Sequence, residues 1–199
     1  MFYRINIVNV LVFIALPIWS FSYQELRLES YKNILPIIED GTIYTNLKKI
    51  NSNLGIITVI GKIDANIDYV WKLLNSDNKQ IYPDILEKHI LEKKGNLYVK
   101  KSLLNFPWPL SDRWTIIKEI IDPVNYGKEW IEIGGDIKVN RGAVRLFPYK
   151  NNTTIMVFKL SFDPGLSFIP EWAIEMGMKS KAPSIIERIR YCIKYCNIK

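Results

Sequence analysis

The residues best suited to chemistry are few and widely spread. His89 is the single histidine, and it lies in the charged stretch "EKHILEKKG" with no nucleophile or metal ligand at a recognised spacing. That setting reads as solvent-exposed and not catalytic. Cys192 and Cys196 are the only cysteines. Two cysteines four apart on a helix are poorly oriented for a bridge while the helix holds, so free thiols are expected, with fraying at the chain end as the route to a bridge. His89 and this pair match no zinc spacing, and neither HExxH, GxSxG nor a P-loop occurs. No catalytic group, metal or cofactor is therefore expected. Glu132, Asp136 and Arg145 would gain an acid–base role only inside an apolar cavity, where burial raises a carboxylate's pKa. Glu132 shares a strand face with Trp130, opposite Ile131 and Ile133. Either face could be the inner one, and exposure of the acid is the plainer expectation.

The stretch "NFPWPLSDRW", Asn105 to Trp114, combines stiffness with charge. Pro107 and Pro109 remove backbone donors and fix the corner, presenting Trp108 at low entropy cost. Ser111 and Asp112 can satisfy local backbone groups. Arg113 begins a strand and points either inward or outward. Inside, its planar fork would suit a carboxylate or phosphate; otherwise the Asp112–Arg113 pair simply fixes the corner, which is the preferred reading.

These groups must be positioned by a chain of 199 residues, 48% hydrophobic and 13% aromatic, which suits one well-packed domain. The net charge is +7, but the lysines come in ones and twos without a stripe, so nucleic-acid binding is not expected. "MFYRINIVNVLVFIALPIWSFSYQ" has Arg4 before a mostly apolar run and small residues at Ser20 and Ser22, the form of a secretory signal cleaved after Ser22. Residues 1–22 are thus expected to be removed and 23–199 to form the domain, exported to a periplasm or secreted; an uncleaved anchor is the alternative. Glu25 to Ile38 is expected to be a helix ending near Pro36. "GTIYTNLKKI" and "LGIITVIGKI" read as two strands. Ile67, Val70, Trp71 and Leu74 mark one helix face. From Leu91 onward, strand-like segments alternate with Gly95-Asn96, Asp122-Pro123, Gly134-Gly135 and Asn151-Asn152, spacing that builds an antiparallel meander. A long helix over Phe168 to Ile198 closes the chain, with Ala182, Ile185, Ile186, Ile189, Cys192, Ile193 and Cys196 inward and Glu187, Arg188, Arg190 and Lys194 outward. The class is α+β: a curved antiparallel sheet wrapped around a long C-terminal helix.

Four segments in this order resemble the START-like helix-grip superfamily of lipid-transfer and polyketide-cyclase-like domains. They are "IDANIDYVWKLLNS", "FPWPLSDRW", "GAVRLFPYKNNTTIMVFKLSFDPG" and "IPEWAIEMGMKSKAPSIIERIR". One departure is Trp114, where the family segment continues with an acid; it should add apolar bulk. The resemblance implies a hydrophobic small molecule or lipid held between sheet and helix, in a monomeric carrier or sequestering protein. It makes Trp108, Arg113, Trp130, Met156, Phe158, Leu160 and Phe162 candidate ligand-binding residues. Met156, Phe158, Leu160 and Phe162 alternate along one strand, and such a Met- and Phe-rich face suits an adaptable pocket. Phe168 and Trp172 would edge the mouth and touch an anionic membrane transiently, helped by Lys179 and Lys181. The alternatives are a cyclase- or aromatase-type enzyme and a structural domain with a filled core.

Overall fold

A computed structural model describes residues 22–51, 54–106 and 110–196. The expected signal segment up to residue 21, and Trp108 with its flanking prolines, lie outside these residues. No helix among the described residues is long and apolar enough to cross a membrane.

Eight strands form one antiparallel sheet: β1 (Tyr44–Asn51), β2 (Leu54–Ile63), β3 (Ile85–Lys94), β4 (Leu97–Leu104), β5 (Arg113–Asp122), β6 (Gly127–Gly135), β7 (Val139–Tyr149) and β8 (Thr153–Asp163). The spatial order is β1-β2-β8-β7-β6-β5-β4-β3. The meander from β4 to β8 was expected from the turn signals, and β2 joins its end by pairing Val59 with Phe158 and Gly61 with Met156. β3 was not expected as a whole strand. It is an edge strand exposed from Leu86 to Lys94, so its sequence carries no buried alternation.

Helix α2 (Ile67–Leu74) begins where Asn66 accepts from the Tyr69 amide at 2.8 Å, an N-cap that satisfies one free amide of the first turn. Its Val70, Leu73 and Leu74 are buried. Helix α3 (Glu171–Tyr195) starts after Pro170 and lies on β2, β8 and β1. Ala182, Ile186, Ile189 and Cys192 are its buried stripe, packed with Ile57, Val59, Ile63, Leu146 and Met156 from the sheet. Arg190, expected to face out, folds back instead: its guanidinium donates to the carbonyls of Gly41 at 2.7 Å and Lys62 at 3.0 Å. Cys192 and Cys196 form a disulfide, which corrects the expectation of free thiols. The helix ends at Tyr195 and Cys196 has extended backbone, so helical orientation no longer keeps the sulfurs apart.

The expected helix over Glu25–Ile38 is also corrected. The segment forms two single 3-10 turns and a four-residue helix, α1 (Leu35–Ile38). It crosses the outer face of β2, β8 and β7, where Tyr23, Leu26, Ile34 and Ile38 bury against Ile60, Ala143, Ile155 and Val157. Burying each aliphatic side chain stabilises by roughly 1.5–3 kcal/mol, so side-chain fit to the sheet outweighs a continuous helix here. Tyr23 anchors the strap: its amide donates to Glu129 Oε2 at 3.0 Å and its hydroxyl to Asp122 Oδ2 at 2.8 Å. Its ring lies where a side chain on Gly127 would stand. Arg145 belongs to this outer layer, donating to the Leu26 carbonyl at 3.3 Å over the Phe147 ring. It is therefore not a cavity residue.

Candidate functional site

Curvature leaves a cavity of about 350 Å³ between α3 and the sheet. That volume is at the low end for small-molecule pockets and equals the share of about a dozen waters in the liquid. Its apolar wall comes from Trp130, Phe158, Leu160 and Phe162, closed by Ala182 and Ile185 of α3. The strand period puts Phe158, Leu160 and Phe162 on one face, and pairing sets Phe158 opposite Val144 and Leu160 opposite Gly142. Gly142 has no side chain where the Trp130 indole lies; a Cβ there would come within 2.5 Å of it. The indole stacks on Phe158 with centroids 5.9 Å apart and rings inclined by 26°.

The opposite end is polar. Lys100 (β4), Glu119 (β5) and Lys128 (β6) line it with Tyr82, Lys88, Ser102, Thr115 and Asn140. Glu119 is 5% exposed. It forms an ion pair with Lys100, and Lys128 Nζ lies 4.0 Å from its second oxygen. Lys128 donates to the Leu74 carbonyl at 3.1 Å, at the end of α2, and to Asn75 Oδ1 at 3.5 Å. Burial lowers the Lys128 pKa from the ordinary lysine value and Lys88 adds to the effect, while Glu119 opposes it. The Tyr82 hydroxyl also donates to Leu74 O. Burial, with the Glu119 charge, raises its pKa well above the ordinary phenol range, so it remains a donor. Asp84 accepts from Lys181 at 3.0 Å and Arg188 at 3.4 Å, tying the segment before β3 to α3.

Strands β6 and β7 pair only from Gly127–Arg145 to Trp130–Gly142 and then separate. Asn140 fills the gap: Trp130 Nε1 donates to its Oδ1 at 3.1 Å, and its Nδ2 donates to Thr115 Oγ1 at 3.2 Å. Glu132 Oε2 accepts from the Asn140 amide at 3.2 Å, with Arg141 3.8 Å away. The plainer expectation of an exposed Glu132 is thus corrected. Its face is the inner one, and Ile133 is the 54% exposed neighbour.

The candidates separate accordingly. Trp130, Phe158, Leu160 and Phe162 meet around the cavity, whereas Met156 is core beneath it. Arg113 does not reach the lining; its Nη1 donates to the Asp136 carbonyl at 3.0 Å. Asp112 closes the corner by accepting from the Phe106 amide at 3.2 Å, and Phe106 stacks on Phe162. Phe168 and Trp172 are 71% and 65% exposed. Trp114, expected to add apolar bulk, does so on the outer face between Lys101 and His89. Lys100, Glu119, Lys128 and Asn140 were not singled out from sequence, although Lys128 and Glu132 flank Trp130 at period two.

No family model matches the chain, and none of the curated proteins matches it. Solved structures do. The chain is similar to the Zhui aromatase/cyclase from Streptomyces sp. R1128, at 13% identity and a TM-score of 0.60, covering 72% of this chain and 98% of that one. It is similar to TTHA0849 from Thermus thermophilus, at 13% identity and a TM-score of 0.57, covering 68% and 94%. The likeness shows the helix-grip fold, a curved antiparallel sheet with a long C-terminal helix across it, as expected from the sequence.

Proposed function

We propose that this chain binds a hydrophobic small molecule in the cavity between its sheet and α3, as an exported carrier or sequestering protein. The observation that carries the reading is an aromatic wall of Trp130, Phe158 and Phe162 facing a space of about 350 Å³ that no side chain among the described residues fills. Excluding water from an apolar ligand there is worth roughly 25 cal/mol per Å². Export is supported by the signal-like residues 1–22. Phe168 and Trp172, exposed beside the start of α3 with Met176 at 60% exposure, suit transient contact with an anionic membrane, where each nearby lysine adds about 1 kcal/mol. The test is native mass spectrometry of the exported chain, followed by organic extraction and identification of the extract. A stoichiometric adduct of one lipid class supports the carrier; a clean apo mass after incubation with mixed lipids overturns it.

A cyclase reading is favoured by one specific arrangement, the Tyr82, Glu119 and Lys128 groups at the cavity's polar end. The Streptomyces structure to which the chain is similar is an aromatase/cyclase. Turnover of an aromatic polyketide precursor, lost in Glu119→Gln, would favour it over carriage.

A further inference from the structure

The cavity's two ends differ in kind, and their charges do not balance. At the polar end, Lys88 is held by Asp77, and Asp84 by Lys181 and Arg188. Among the described residues, that leaves Lys100 and Lys128 facing the one carboxylate of Glu119. Lys100 takes this carboxylate in direct contact. Lys128 lies beyond hydrogen-bond distance from it at 4.0 Å and uses two donors on Leu74 O and Asn75 Oδ1. An ammonium carries three donors, so one remains for an acceptor in the cavity. Both lysines are held away from water, with side chains 14% and 12% exposed. A desolvated cation without its own counter-ion is costly, and a ligand that supplies the missing negative charge removes that cost. The wall of Trp130, Phe158 and Leu160 begins beside these groups, so the same ligand must be apolar elsewhere.

We propose that the cavity's ligand is an amphiphile bearing one acidic group, a carboxylate or a phosphate, that accepts from Lys128 and Lys100 while its apolar body lies along Trp130, Phe158 and Leu160. This rests on the hydrophobic-ligand reading above and narrows it to a substrate class. Arg113, with its guanidinium on the Asp136 carbonyl, is not the headgroup partner.

Binding has a pH signature. Lys128 is faced by Glu119 from β5, Lys100 from β4, Lys88 and its partner Asp77, Tyr82, and the carbonyl end of α2. Burial holds the empty-site pKa of Lys128 down, and an anion beside it raises that pKa. The acid's affinity therefore falls as pH rises toward the ordinary lysine range, because protonation becomes part of the binding step. An alcohol of equal chain length lacks this dependence.

The test is isothermal titration of the exported, delipidated chain with dodecanoate, dodecyl phosphate and dodecanol, all below micellar concentration. A charge-assisted hydrogen bond predicts that at least one acid binds about tenfold or more tightly than the alcohol; the tighter acid identifies the headgroup. In Lys128→Met the acid's advantage and its pH dependence are lost together. Lys128→Gln, which keeps a donor, serves if the methionine variant does not fold. Dodecanol binding within about twofold of both acids would overturn this inference and leave the hydrophobic-ligand reading intact. If neither the acids nor the alcohol enter, both fall.

Discussion

Neutralising Glu119 and removing Lys128 should have opposite consequences for stability, although the two groups are neighbours. Glu119→Gln keeps the shape of the side chain and deletes the carboxylate that, among the described residues, faces Lys100 and Lys128. Breaking a buried pair by removing one partner costs about 3–5 kcal/mol, because the other charge is left without compensation. The cost should not double for two lysines. Burial already lowers the Lys128 pKa and Glu119 opposes that shift, so without the acid Lys128 sheds its proton more readily and the cost centres on Lys100. Its side chain keeps 14% exposure, which admits some water and places the expected loss near the lower end, about 3 kcal/mol. Lys128→Met removes the surplus cation, leaves Lys100 and Glu119 paired, and should change stability by less than about 1 kcal/mol or raise it. Urea unfolding of the ligand-free chain, followed by tryptophan fluorescence, measures both. The sign with pH is fixed too. Lys128 has a lower pKa folded than unfolded, so between those values the unfolded chain binds more protons and stability rises with pH. Wild type should gain on Lys128→Met as pH climbs through that window toward about 10.4. A Glu119→Gln variant within about 1 kcal/mol of wild type, or a Lys128→Met variant as damaged as Glu119→Gln, would refute the charge accounting.

Other expected outcomes test separate parts of the structure. Gly127→Ala places a methyl 2.1 Å from the Tyr23 ring, so it should unseat the N-terminal strap and open Leu26 to limited proteolysis while β4 to β8 stay paired. In Gly142→Ala the new methyl meets the Lys159 carbonyl at 2.4 Å and the Trp130 indole at 2.5 Å. That overpacking should cost about 1–3 kcal/mol and shift the Trp130–Phe158 stack, read by near-ultraviolet circular dichroism and ligand affinity. Phe168→Ser with Trp172→Ser removes two exposed rings and should leave stability within about 0.5 kcal/mol each. The same pair should weaken sedimentation with anionic vesicles if this edge meets a membrane. Reducing the Cys192–Cys196 bridge should cost at most about 2 kcal/mol, because the closed loop is so short.

The elements that were legible from sequence are those whose side chains divide into a buried and an exposed set. α2 and α3 show that division by their stripes, and β8 by Met156, Phe158, Leu160 and Phe162. β3 was not legible because an exposed edge strand has nothing to alternate. The strap over residues 23–38 misled in the other direction. Its apolar residues fall near helical spacing, yet Leu26, Ile34 and Ile38 are placed by the outer face of β2, β8 and β7, a surface the local sequence does not describe. For the same reason β8 is buried on both faces, with Ile155 and Val157 under the strap and Met156 under α3.

The polar end of the cavity was hidden by a reversal of the usual rule. On β4 and β6 the inner positions include Lys100, Ser102, Lys128 and Glu132, whereas the outer ones are mostly apolar: Leu97, Val99, Leu103, Ile131 and Ile133. Assigning apolar residues to the core by rule turns both strands inside out, and the alternation of Glu132 and Trp130 with Ile131 and Ile133 does not by itself say which face is inner. The reversal also weighs against a filled core. Buried polar groups are costly unless paired, and a tight core could have used valine or isoleucine at these positions at lower cost. Lysine, glutamate and asparagine turned inward, at the end of a space the aromatic wall leaves open, are accounted for when that space receives a molecule with a polar group to meet them. The same strands therefore carry both the failure of the simple pattern and the argument for a ligand.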